Sequence, residues 1–178
     1  MNTYTSTRYE SISQNINDIV DTLLQNKTLL RWVTYLDDDP MSEDKPDVSA
    51  KHMLGKKIVL TKVNESILTE TEVKVFISPK GGSDNRGRVG VLADTIFEVN
   101  IVMPNDESYL YGLRVDRFST IASEIAKSLD GRKVTGVGET KVSPSFNTYK
   151  INETYTGMMF FINATNSVMG KLDVDYGE

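Results

Sequence analysis

The chain contains no cysteine and a single histidine in 178 residues. Without thiols it has no disulfide framework, no thiolate metal site and no cysteine nucleophile. That composition fits a reducing compartment. A histidine-based triad needs its imidazole beside a nucleophile and an orienting acid. His52 sits in Lys51-His52-Met53-Leu54-Gly55 after a loop, with no flanking motif, and reads as a surface or strand-edge residue. Long apolar runs are also missing: no stretch approaches the roughly 20 residues that span a bilayer. The first ten residues are polar, which argues against a secretory signal. No membrane partner is therefore expected, and the sequons at Asn26, Asn64, Asn152 and Asn163 read as chance matches.

Excess charge is nearly absent outside one segment. The net charge is −5. Asp37, Asp38, Asp39, Glu43, Asp44 and Asp47, against Lys45, account for all of it, and the remainder holds 19 basic and 19 acidic residues. No broad basic face is implied, so sequence-specific nucleic-acid binding is not expected. What is present is ordinary globular material, 39% hydrophobic and 25% charged, enough for one domain with its own core.

Residues 11–25 place Ile12, Ile16, Ile19, Val20, Leu23 and Leu24 at helical spacing. Thr28 can cap a short second helix over residues 29–36. Pro40 and Pro46 stop that helix from continuing, which predicts an exposed acidic loop over about 37–51. Residues 58–63 offer a weak strand pattern. Residues 71–77 and 95–103 alternate apolar and polar positions, as in a sheet with one face wet. Between them, residues 79–88 contain Pro79, Gly81, Gly82 and Gly87 and read as the loop of a long hairpin. Residues 115–129 return to helical spacing and close at Asp130-Gly131. Residues 133–142 read as a strand. Residues 155–162, apolar on both faces, read as a central strand. The tail at about 171–178 is polar and is expected to be flexible. The prediction is a single α+β domain over 1–178, a mainly antiparallel sheet packed by two to three helices, with a long β-hairpin.

The segments that could carry chemistry have structural explanations. An EF-hand loop needs glycine at its sixth position and glutamate at its twelfth. Counted from Asp37, those positions are Ser42 and Val48, so the acidic segment reads as a solvated loop and no metal is expected. Gly136-Val137-Gly138 lacks the third glycine and following helix of a dinucleotide fingerprint and suits a bend in a strand. The hairpin tip, with Lys80, Arg86 and Arg88 against Asp84, has no P-loop sequence, but a basic tip on an acidic chain is a candidate contact surface. Trp32 and Tyr35 read as packing against the first helix, with partner anchoring as the alternative. Tyr109, Tyr111, Tyr149 and Tyr155 divide between core edge and interface.

The run Arg117-Phe118-Ser119-Thr120-Ile121-Ala122-Ser123-Glu124-Ile125-Ala126, then Leu129-Asp130-Gly131 and Gly136-Val137-Gly138, carries a resemblance. With the helix over residues 12–24 and the closing Tyr155-Thr156-Gly157-Met158-Met159-Phe160-Phe161 strand, the chain resembles tail-terminator or neck (head–tail joining) proteins of long-tailed bacteriophages. The resemblance runs over residues 11–166. It implies a virion protein made in the host cytoplasm that forms a homo-oligomeric ring, typically a hexamer. Such a ring caps the tail tube and meets tail tube or sheath proteins on one side and head connector proteins on the other. It implies no catalytic residue and no cofactor. Rings use heterologous interfaces, and the basic tip (Lys80, Arg86, Arg88) and the acidic loop (Asp37, Asp38, Asp39, Glu43, Asp44) are a candidate complementary pair. Two other classes stay open: a non-catalytic module for a ligand or host protein, and a small enzyme built from scattered carboxylates.

Overall fold

A computed structural model describes residues 3–68, 71–86, 91–134 and 138–168. Helix α1 (Thr3–Leu24) is followed by α2 (Lys27–Thr34), and α3 (Arg117–Leu129) lies late in the chain. The strands are β1 (Ile58–Val59), β2 (Lys74–Arg86), β3 (Val91–Pro104), β4 (Tyr109–Leu110), β5 (Val115–Asp116), β6 (Lys133–Val134), β7 (Gly138–Val142), β8 (Asn147–Lys150) and β9 (Tyr155–Val168). The main sheet runs β1-β2-β3-β9-β7-β6, and β8 pairs with β9 beyond the end of β7. Every pairing in it is antiparallel except β1 with β2. The α+β architecture and the long hairpin are those expected, and β9 is the central strand.

The helices cover one face of the sheet. Ile16, Ile19, Val20 and Leu23 of α1, Leu29 and Val33 of α2, and Phe118, Ile121, Ile125 and Leu129 of α3 are buried there. They meet Val75, Ile77, Phe97, Val99, Ile101, Met158, Phe160 and Ile162 from the sheet. Removing this apolar surface from water supplies the main driving force for the layer arrangement. Two caps set the corners. Asn26 Oδ1 accepts from the Leu29 amide at 2.9 Å, opening α2. Its Nδ2 donates to Ser128 Oγ at 2.9 Å and Glu124 Oε2 at 3.1 Å, pinning that corner to α3. Asp116 opens α3 by accepting from the amides of Phe118 and Ser119.

Several expectations need correction. Asn26, not Thr28, caps α2, because the helix starts at Lys27 and the Asn26 side chain reaches the Leu29 amide. Helix α1 begins at Thr3, two turns before the apolar spacing starts. The strand expected over 58–63 is two residues long, and residues 133–142 form two strands, β6 and β7, rather than one. Gly138 takes φ +81 at the start of β7, a conformation open to glycine, while Gly136 lies outside the described residues. Residues 79–86 are strand, not loop: β2 continues to Arg86 in register with Val91, absorbing Pro79 and Gly81 in an irregularity between them.

The sheet face expected to be wet is covered at one end, while Lys80, Glu139, Lys141 and Asn163 further along it are exposed. Phe76 and Val102, on the face opposite the helices, are fully buried and pack with Val59, Leu68 and Tyr155 in a second, smaller core. Tyr149 of β8 lies across β9 on this side, made possible by Gly157: a Cβ there would meet Tyr149 Cζ at 2.6 Å. The Tyr149 hydroxyl donates to Asn100 Oδ1 at 2.7 Å. The tail expected to be flexible at about 171–178 lies outside the described residues.

Candidate functional site

Three surfaces carry chemistry or contact potential, and each is built by local backbone demands. The first is the acidic loop. Asp37, Asp38, Asp39, Glu43 and Asp44 are all exposed. The loop is not loose, because two guanidinium groups hold its carbonyls. Arg31 donates to the carbonyls of Pro40 (3.0 Å), Lys45 (3.3 Å) and Ser42. Arg117, with a side chain of zero exposure, donates to those of Trp32 (3.2 Å), Tyr35 (2.6 Å), Leu36 (2.7 Å) and Asp37 (3.3 Å). Lys45 bridges the Asp37 carboxylate and the Asp39 carbonyl, and Tyr35 Oη donates to the Pro46 carbonyl at 2.7 Å. The Lys45 hydrogen bond holds the Asp37 carboxyl below the usual carboxylate range. Asp47 pairs with Lys27 at 3.0 Å. Asp38, Asp39, Glu43 and Asp44 make no ion pair among the described residues.

The second surface is the outer edge of β2. Strand β1 pairs only with residues 75 and 76. Among the described residues no strand pairs the outer side of residues 77–86. Lys80 lies on this edge and reaches Glu98 Oε2 of β3 at 2.7 Å. Burial raises the Glu98 carboxyl, but hydrogen bonds from Lys80 and Asn100 outweigh it and hold the group below its ordinary value.

The third is a cleft of about 620 Å³ between the end of α2, residues 48–57 and the start of β2. Its charged walls are Lys56, Lys57, Lys74 and Glu72, with His52 exposed at the rim. Glu72 receives Lys57 Nζ at 2.8 Å on one oxygen and Lys74 Nζ on the other. Burial alone would raise the Glu72 carboxyl, yet those two ammonium groups keep it depressed. Lys74 also donates to the Lys56 carbonyl at 3.2 Å. Lys56 has no charged partner among the described residues. Among those residues, no group of three or more His, Asp or Glu side chains is placed to hold a metal ion.

A family model described as YomW matches residues 26–164. The chain belongs to the YomW family. That family is phage-derived, so the protein is phage-associated. No curated protein matches the chain. The YomW match begins at the Asn26 cap and ends in β9, so it takes in the acidic loop, the cleft, the β2 edge and α3.

Within this YomW-family chain the sequence-predicted residues fall unevenly. Lys80 is engaged by Glu98 of the same hairpin. The backbone of Arg86 pairs with Val91, its side chain is not among those described, and Arg88 lies outside the described residues. Asp37 is paired inside the loop, leaving Asp38, Asp39, Glu43 and Asp44 as its outward charges. Sequence reasoning missed Arg31, Arg117 and the Lys56-Lys57-Lys74-Glu72 group. Adjacent lysines after Gly55 were a visible signal for the cleft. Nothing local marks Arg117, four of whose five carbonyl partners lie about 80 positions away in the chain.

Proposed function

We propose that this protein is a structural component of a phage neck or tail, a terminator-like ring that caps the tail tube and meets the head connector. The observation that carries the reading is the outer edge of β2 over residues 77–86. A strand edge presents unpaired amides and carbonyls, a template that folded proteins normally cover or interrupt. Here the edge belongs to a strand of 13 residues backed by two strands of 14, so it is long and supported on its inner side, with one register shift between Pro79 and Gly81. A copy that docks on this edge through a different surface of its own makes a heterologous contact, and such contacts close into rings when the rotation allows. Membership in a phage-derived family and the resemblance of residues 11–166 to neck proteins support the same reading.

The test is electron microscopy of the purified protein, alone and mixed with tail tubes of its phage. Closed rings, or density capping the tube ends, are expected. Particles that stay single and tube ends that stay bare would overturn the proposal.

A further inference from the structure

We infer that the lysine cleft is the receptor for the acidic loop of a second copy of this chain. The inference deepens the ring reading and rests on it. Four carboxylates, on Asp38, Asp39, Glu43 and Asp44, face outward from the loop with no ion pair among the described residues. The cleft of about 620 Å³ has the opposite imbalance, with Lys56, Lys57 and Lys74 around one carboxylate, Glu72. Both oxygens of Glu72 are taken by Lys57 and Lys74, so its charge is answered inside the subunit. The remaining ammonium hydrogens and the whole of Lys56 are left to bind something anionic.

The loop's backbone is held by its own subunit. Arg31, Arg117, Lys45 and Tyr35 hold nine of the carbonyls between Trp32 and Pro46. That anchoring also lowers the ordering cost of docking, because the carboxylates are presented on a preset backbone. The proposed occupant is the loop of another molecule, chosen on charge complementarity. The cleft continues the same sheet edge as the unpaired length of β2: the Lys57 carbonyl accepts from the Val75 amide at 2.7 Å, immediately before residues 77–86. The loop carboxylates and the cleft lysines are different side-chain groups of one chain, as a head-to-tail contact requires, although Val48 and Ser49 at the end of the loop line the cleft. On this inference the acidic loop has the cleft lysines as its cation partner, an alternative to the hairpin tip.

The experiment measures self-association by sedimentation, alone and on tail tubes, for the wild type, Lys56→Glu, Glu43→Lys/Asp44→Lys, and the chain carrying all three changes. Circular dichroism checks that each folds; all three side chains are exposed. The wild-type association constant is expected to fall about tenfold between about 50 mM and about 500 mM salt, as screening shortens. Lys56→Glu and the loop variant should each weaken association about tenfold, and the combined chain should recover most of the loss. Single variants that associate like the wild type overturn the inference, as does a combined chain no better than its parents. Rings that form and ignore these changes overturn the inference while leaving the ring reading intact. A wild type that neither self-associates nor binds tubes overturns both.

Discussion

Arg117 Nη1 lies 2.6 Å from the Tyr35 carbonyl oxygen, joining the first residue of α3 to the residue that closes α2. A cation in the first turn of a helix sits at the unfavourable end of that helix's dipole. Arg117 escapes the penalty by reaching the C-terminal end of α2, where carbonyls lack amide partners. It donates there to Trp32, Tyr35, Leu36 and Asp37, and its Nε donates to the Glu107 carbonyl at 3.0 Å. The nearest carboxylate, Glu107, is 3.8 Å away. Burial lowers the guanidinium pKa, opposed by Glu107, Asp37 and Asp38. The charge is thus answered mainly by backbone dipoles.

Arg117→Leu should therefore be among the most damaging single changes. It leaves five buried or half-buried carbonyl contacts empty, and unfolding free energy should drop by about 3–5 kcal/mol, the range for breaking a buried charged network. Arg117→Lys should lose about 2 kcal/mol, since an ammonium cannot reproduce the planar fork. Urea denaturation measures both; a loss under about 1 kcal/mol for Arg117→Leu would show that the carbonyls find other partners.

Gly157 should tolerate no side chain while Tyr149 is present. A Cβ would fall 2.6 Å from Tyr149 Cζ and 2.9 Å from its hydroxyl oxygen, so the ring must leave Asn100 or the strands must separate. Gly157→Ala is expected to cost about 1–3 kcal/mol, the usual range for overpacking. The same change made in a Tyr149→Ala chain should cost under about 0.5 kcal/mol, because the colliding ring is gone. Equal costs in the two backgrounds would place the strain elsewhere.

These two contacts show where the sequence was readable. The apolar spacing of Ile16, Ile19, Val20 and Leu23, and of Phe118, Ile121, Ile125 and Leu129, marks helices whose burial follows from that spacing. The alternation through Val75 and Ile77 marks a strand correctly, yet it misjudges the second face. There Lys74 is buried because Glu72 and the Lys56 carbonyl satisfy its ammonium, partners fixed by the tertiary arrangement. Pro79, Gly81 and Gly82 read as a breaker cluster, but pairing to Phe97, Ile96 and Thr95 carries the strand through them. Local propensity loses to cross-strand hydrogen bonding. The acidic loop was visible in composition. The cations that anchor it, Arg31 and Arg117, were not, since their ligands are backbone carbonyls and any residue supplies a carbonyl.

Tyr149 sets a pH dependence at the alkaline end. Burial, helped by the nearby Glu98 charge, pushes its phenol from 10.0 up to about 12. The folded state thus favours the neutral phenol. Its contribution is fully present below pH 10.0 and is lost as pH rises from there toward about 12. Across that window the wild type should lose more unfolding free energy than Tyr149→Phe. Ultraviolet titration should show a late-ionising tyrosine that vanishes in the variant. Parallel stability curves for the two chains would contradict the assignment.

Arg31 decides whether the acidic loop is a presented surface or a slack tether. Its side chain is 11% exposed and binds the Pro40, Ser42 and Lys45 carbonyls. Arg31→Ala removes three charge-assisted donors from one short segment, so the loop should open locally long before the domain unfolds. Global stability should fall by about 1–2 kcal/mol, because the helices and sheet keep their packing. Cleavage by a protease of broad specificity within residues 37–47 should accelerate about tenfold or more, since cutting follows the population of the open form. The Arg31→Ala chain should also associate more weakly than the wild type although every loop carboxylate remains, because the ordering cost returns at docking. Unchanged cleavage in Arg31→Ala would mean that Arg117 and Lys45 suffice to hold the loop, and unchanged association would mean that its fixed shape contributes nothing to the contact.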